Sequence, residues 1–279
     1  MNTENLTIFI INLSDHIERK EHMQRLCDVF GLRPVFIEAV DGRLLSNESI
    51  EGVYDKRKSI DYSGRELSLG EIGCGLSHQQ IYQRIVDENI ELALILEDDV
   101  DFNEYLLSTL NETMRFPVDW ELVLFGHHGG FSREATTRGS VWYQLFLNKS
   151  YKLMRPAELV NGTYGYLINL QSARKLLSMT APLFMPIDHY TGSDRLLNIY
   201  IIKPAIVMIN ENLSDNYHSM GSREGLLSGD DMMQGSLNFS CYKKMAVYLN
   251  IYKFLTYVLH KLKWPIQVLK PLKAYKIRR

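Results

Sequence analysis

The residues that promise the most chemistry stand next to one another. An apolar run ending in Leu94-Ile95-Leu96 delivers three successive carboxylates, Glu97, Asp98 and Asp99, ahead of Val100. Adjacent carboxylates repel, and burial raises the cost of each charge. A divalent cation removes that repulsion, and hard oxygen donors suit Mg²⁺ or Mn²⁺. Side-chain alternation along a strand sends Glu97 and Asp99 to one side and Asp98 to the other. At least one of the three is then placed to support a metal site rather than to touch the ion. The plainer reading is a strand end followed by a solvated acidic turn, with Asp101 capping the next helix.

A cation held by one or two carboxylates usually completes its shell with substrate phosphates. The chain has neither GxxxxGK[ST] nor GxGxxG, so neither a P-loop ATPase nor a Rossmann dehydrogenase is supported. A sugar esterified to a nucleoside diphosphate fits better, because the metal offsets charge growing on the departing diphosphate. Upstream, Gly70, Gly73 and Gly75 flank a predicted helix start, which allows close backbone approach and amide donors near a diphosphate. Glu71 complements the dipole of that first turn. Ser77 and His78 follow one turn later; His78 either bonds a phosphate or acceptor hydroxyl or is a satisfied packing histidine. Cys74 reads as a small buried hydrophobe.

These residues need a scaffold, and apolar runs alternating with helical patterns supply one. Thr7–Leu13 is continuous and β-branched, as a buried parallel strand should be, and Ser14 or Asp15 can cap the helix after it. Further strands are expected over Pro34–Val40, Leu92–Leu96, Glu121–Phe125, Tyr164–Leu170 and Ala205–Ile209. Helices are expected over Leu69–Asn89, near Asn103–Arg115, and over Ser172–Met179 and Asp188–Tyr200. Residues 128–150 read as loops and short strands, with His127, His128, Gly129 and Gly130 placed to tune an acceptor site or merely to turn the chain. The alternation predicts an α/β fold, a mostly parallel sheet flanked by helices, with ligands at the C-terminal edge of the strands.

The 279 residues are 46% hydrophobic and 23% charged, enough apolar mass for a large domain over residues 1–240 plus an appendage over 241–279. Three cysteines, Cys27, Cys74 and Cys241, make no CxxC, so a disulfide scaffold and a zinc finger are excluded. Met1–Asn5 carry no basic and apolar leader pattern, and a reducing cytoplasm is expected. Residues 241–279 hold ten Lys/Arg and no Asp/Glu, leaving 21 basic against 33 acidic residues before them. So acidic a body repels nucleic acid. In the basic segment Val247, Ile251, Leu255, Val258 and Leu262 share one helical face, which either packs on the body or lies in an anionic membrane surface.

Taken in order, several stretches resemble glycosyltransferase family 25, bacterial enzymes of lipooligosaccharide and lipopolysaccharide biosynthesis. They are Ile10–Leu13 with Arg19, Glu38–Gly42, Leu69–His78, Leu94–Val100, Gly162–Ile168 and Pro186–Asp188, spread over roughly residues 6–215. GEIGCGLSH and LILEDDV are the specific pair. The resemblance implies a GT-A-type fold, an inverting mechanism, a UDP-sugar donor (most often UDP-galactose) and Mn²⁺ or Mg²⁺. A saccharide or glycolipid acceptor made at the cytoplasmic face of the inner membrane would explain the basic amphipathic segment.

The resemblance assigns roles residue by residue. Asn12 and Leu13 would receive the nucleoside base, and Arg19 would lie near the nucleotide unless it is only a solvated helix charge. Asp41 and Gly42, first of all a turn signal, would contact ribose or uracil. Glu71, Gly73, Ser77 and His78, with Glu97 and Asp98, would face the donor, and Asp99, Glu97 and Asp98 would hold the metal. Asp188 matches the acidic position after a proline and would take the acceptor proton, although a Pro before an Asp also caps a helix. His189 and Asp194 are weaker alternatives, and His218 a remote metal ligand. Two other classes compete: a UDP-sugar or glycan-binding module without catalysis, and a metal-dependent phosphoesterase, which would want more His/Asp ligands.

Overall fold

Every second residue of the first strand belongs to a different core. In the computed structural model, which describes residues 6–129, 139–157 and 159–214, strand β1 spans Leu6–Asn12. Phe9 and Ile11 pack with one cluster, Ile8 and Ile10 with the other. A strand apolar on both sides can be satisfied only inside a sheet covered on both faces.

Helix α1 (Ile17–Val29) leads to β2 (Pro34–Glu38), and α2 (Asn47–Val53) and α3 (Lys56–Ser63) precede the long α4 (Leu69–Asp87). Strands β3 (Leu92–Glu97) and β4 (Val100–Phe102) follow, then α5 (Tyr105–Asn111), β5 (Leu122–Leu124) and β6 (His128–Gly129). Next come β7 (Gly139–Phe146), β8 (Lys152–Pro156), β9 (Val160–Asn161) and β10 (Gly165–Asn169). Helices α6 (Leu170–Thr180) and α7 (Ile187–Thr191) lead to β11 (Ile199–Lys203) and β12 (Val207–Ile209).

Eight strands form the main sheet in the order β2-β1-β3-β10-β5-β11-β8-β7. Six run in one direction; β10 enters antiparallel between β3 and β5, and β8 runs antiparallel to β11. The expected α/β architecture is therefore present. Strand β3 repeats the parity of β1: Ala93 and Ile95 join the cluster holding Ile72, Ile81 and Ile85 of α4, while Leu92, Leu94 and Leu96 join Met23 of α1 and Leu106 of α5.

Two local expectations fail. The helix predicted over Asp188–Tyr200 stops at Thr191, and Ile199-Tyr200-Ile201-Ile202 becomes a strand, each residue at most 2% exposed. A run apolar on every side is buried more fully between β5 and β8 than one helix face could bury it. Neither Ser14 nor Asp15 caps α1; its first residue follows His16, which makes no side-chain cap bond. The segment 241–279, the boundary at 240 and His218 lie outside the described residues. Among those described, no helix is long and apolar enough to cross a membrane.

Helix α4 approaches the loop after β2 through two glycines. A Cβ on Gly73 would stand 2.5 Å from the Val40 carbonyl oxygen and 2.7 Å from the Gly42 nitrogen; one on Gly42 would stand 1.8 Å from the Leu69 oxygen. Backbone meets backbone here, so nothing flexible can give way. Gly73→Ala should cost about 1–3 kcal/mol in urea denaturation. Gly52→Ala, in α2 with open space around it, should gain up to about 1 kcal/mol. Equal effects from the two substitutions would contradict this packing.

Candidate active site at the strand ends

The parity that sorts the two cores also divides the carboxylates. Glu97, at the end of β3, meets α4: its carboxylate, the Cys74 sulfur and a His78 ring nitrogen all lie within 4.8 Å of one another. Asp98 turns instead toward β1 and α1, where Oδ2 accepts from Asn12 Nδ2 at 2.7 Å and Oδ1 from Arg19 Nη1 at 3.2 Å. Asp99 lies in the turn before β4. Its Oδ1 is buried without a hydrogen-bond partner among the described residues, and its Oδ2 is 4.0 Å from Arg19 Nη1. Because the strand ends at Glu97, strict alternation lapses and all three acids border one cavity of about 240 Å³.

The cavity opens at the C-terminal edge of β1 and β3, as an open α/β sheet requires. Ile11 and Arg19 line it from β1 and α1, and Leu13 and His16 from the turn between them. Asp41, Gly42 and Arg43 line it from the loop after β2, and Gly70, Cys74, Ser77 and His78 from α4.

Burial, with Asp99, Asp188 and Asp98 as neighbours, pushes Glu97 well above the usual carboxylate range. Burial also raises Asp99, against the lowering pull of the Ser214 hydroxyl and Arg19. Two acids are thus under pressure to shed their charge, while Asp98 is hydrogen-bonded by a guanidinium and an amide. His78 is wholly buried and pushed down to about 4, so its ring is neutral at physiological pH. Its Nδ1 meets the Tyr166 hydroxyl at 2.8 Å, which in turn meets the Tyr82 hydroxyl at 2.8 Å, and Nε2 has no partner among the described residues.

Other residues singled out from the sequence have structural work. Glu71 closes a capping box with Ser68 at the start of α4 and pairs with Arg65 at 2.6 Å; it does not line the cavity. Gly73 makes the backbone contact described above and does not line the cavity. Ser77 borders the cavity, but its hydroxyl accepts from Val40 N and donates to Gly73 O, both at 2.8 Å. Asp41 is gripped by Arg43, whose backbone N–H and guanidinium both donate to it and hold it below the usual carboxylate range. His127 donates to the Ile202 carbonyl at 2.7 Å, His128 stacks on Tyr164, and Gly130 lies outside the described residues. Asp101 meets His22 and Asn210 instead of capping α5.

Asp188 does not line the cavity. Its Oδ1 accepts from Thr163 N at 3.1 Å and from the Thr163 hydroxyl, and its Oδ2 from Gly162 N at 3.2 Å. The carboxylate therefore clamps the turn into β10, leaving one lone pair on Oδ2 unused among the described residues. His189 meets Tyr62 OH through Nδ1 at 3.0 Å, and neither it nor Asp194 lines the cavity. Sequence reasoning missed Arg43 and His16, although each sits within four residues of a residue it singled out. It could not have found the pairing of His78 with Tyr166, 88 residues apart.

Residues 5–191 match the family model described as "Glycosyltransferase family 25 (LPS biosynthesis protein)". A "Glycosyltransferase 25 family member" of Aedes aegypti is 34% identical over 192 residues, 66% of this chain and 30% of that protein. "Procollagen galactosyltransferase 1" of Danio rerio is 31% identical over 192 residues with the same coverage. The chain thus spans about 30% of the length of the curated relatives it matches. Among solved structures, a glycosyltransferase involved in glycosylation of the major capsid of PBCV-1 aligns over 64% of this chain and 67% of its own. At 12% identity and a TM-score of 0.32, that likeness is too remote to carry an argument.

Crowding at Glu97 has a measurable consequence in metal-free protein. A carboxyl raised in the fold binds more protons folded than unfolded, so stability falls as pH rises from the ordinary carboxylate range toward neutrality. Glu97→Gln in EDTA should raise the thermal midpoint at neutral pH, and the gain should shrink in acid. A neutral-pH midpoint equal to or below wild type would refute the repulsion.

Proposed function

The chain belongs to glycosyltransferase family 25, and on that premise we propose that it moves a hexose, galactose first of all, from a UDP-sugar to a saccharide hydroxyl with inversion. The observation that carries the reading is the cavity at the ends of β1 and β3, where three carboxylates converge and the buried Oδ1 of Asp99 has no partner among the described residues. Such a set fits a hard divalent cation: Asp99 and Glu97 would hold Mn²⁺ or Mg²⁺, with Asp98 kept in place by Arg19 and Asn12. When bound, the ion supplies electrophilic stabilisation of the departing diphosphate. Arg19, His16 and Arg43 bring positive or protonatable groups to the same cavity, as a diphosphate needs. Leu13 and the Asp41–Gly42 turn shape the side where the nucleoside would sit.

Inverting transfer forms one bond at the anomeric carbon as the bond to UDP breaks, and the acceptor hydroxyl must lose its proton. Asp188 is our choice for that proton through the remaining lone pair on Oδ2; its contacts with Gly162 and Thr163 hold it still. Relatives named procollagen galactosyltransferases support galactose as the sugar, and the family description supports a lipopolysaccharide-type acceptor. The basic segment 241–279 suits contact with an anionic membrane carrying such an acceptor.

Purified protein incubated with UDP-galactose or UDP-glucose, Mn²⁺ and a panel of oligosaccharide acceptors should release UDP, fastest with UDP-galactose, and EDTA should stop it. Asp99→Ala should lower kcat/KM by about a hundredfold or more. Full activity in EDTA, or in Asp99→Ala, would remove the metal from this reading. Asp188→Asn keeps an acceptor for Thr163 but cannot take a proton. It should lower kcat by about 10²–10⁴ with little change in donor KM; a loss of stability without a loss of rate would make Asp188 only a clamp.

A further inference from the structure

Cys74 and His78 lie four residues apart on α4, hence one turn apart on one face, and that face meets the end of β3 at Glu97. Sulfur, ring nitrogen and carboxylate oxygen lie within 4.8 Å of one another. Tetrahedral zinc, with bonds of about 2.0–2.3 Å, sets its ligands about 3.3–3.8 Å apart, so modest side-chain rotation would close the site. The second observation is His78 itself, 0% exposed, with Nε2 unpartnered among the described residues. A buried nitrogen left so bears an unrecovered desolvation cost, which a ligand on it would recover. The third is the Tyr166 hydroxyl on Nδ1, backed by Tyr82. Metal-binding histidines commonly have such an outer hydrogen bond, which fixes the ring and frees the opposite nitrogen. Glu97 forms no ion pair among the described residues and Arg19 acts on it only at longer range, so its oxygens are open to a cation that would draw off the proton.

We propose that Cys74, His78 and Glu97 form a binding site for a borderline divalent cation of the zinc type, with a water or substrate oxygen completing the tetrahedron. Thiol and imidazole distinguish it from the all-oxygen site proposed at Asp99, since they select zinc or cobalt over magnesium or manganese. On binding, the thiol gives its proton to solvent and the thiolate takes the metal. Glu97 borders both sites, so an ion here withdraws one carboxylate from the hard cation and leaves Asp99 and Asp98 to hold it. Zinc would then act on the transferase as a competitor for Glu97 rather than a substitute for Mn²⁺.

The test is optical and needs no sugar nucleotide, so its outcome is separate from that of the transferase reading. Reduced, metal-stripped full-length protein is titrated with Co²⁺ in excess Mg²⁺. The expected result is a thiolate-to-cobalt charge-transfer band saturating at about one equivalent and displaced by Zn²⁺. Cys74→Ser should abolish the band, His78→Gln should weaken cobalt affinity at least about tenfold, and Asp99→Asn should keep the band. No band in the wild type, or an unchanged band in Cys74→Ser, overturns the proposal. Should Cys74→Ser fail to fold, wild-type protein is alkylated and mapped by mass spectrometry. Zn²⁺ should slow modification of Cys74 where Mg²⁺ does not, and equal rates with the two ions overturn the site.

Discussion

A strand buried on both faces leaves its last residues little bulk water in which to spread charge, and β3 ends in three acids. At effective dielectric values typical of proteins, two charges about 4 Å apart interact by about 4 kcal/mol, so the partners each acid finds matter. Asp98 is answered by Arg19 and Asn12. Breaking a buried pair of that kind costs about 3–5 kcal/mol, because it strands the remaining charge. Glu97 and Asp99 receive less, and both are pushed toward the protonated form. On the reading proposed above, a positive group from outside the chain would relieve that imbalance.

The rest of the structure keeps the imbalance in place. Helix α4 brings Cys74 and His78 to Glu97 only because Gly73 and Gly42 let its backbone lie against the loop after β2. Ser77 then ties that loop to the helix through Val40 N and Gly73 O. Asp188 holds the turn into β10 from α7, and Glu97 N donates to the Tyr164 carbonyl at 3.1 Å. The acids and the groups facing them are thus set by contacts between elements far apart in the chain.

Much of the sheet was legible because its signal is local. Runs such as Thr7–Leu13 and Leu92–Leu96 are apolar on both sides, which only a covered sheet can use, and they appear as β1 and β3 within a residue or so. The helix expected over Asp188–Tyr200 failed for the same reason inverted: Ile199–Ile202 is as apolar as a buried strand, and β5 and β8 stood ready to receive it. For the candidate site, residue type identified the acids, while their individual tasks depended on partners 79 and 86 positions away, in Arg19 and Asn12. Glycine spacing pointed to a close approach but could not tell a diphosphate from the backbone of Val40.

Composition, alternation and the acidic triplet determined by themselves that this chain forms a covered α/β sheet whose edge gathers negative charge. Those properties follow from each residue's own chemistry and its immediate neighbours, so they survive being read in one dimension. Which acid pairs with an arginine, which keeps an oxygen without a partner among the described residues, and that Asp188 grips a turn were decided by tertiary structure alone. Each of those outcomes depends on distances of about 3 Å between segments 25 to 86 residues apart, and chain order carries no information about such distances until the sheet has closed.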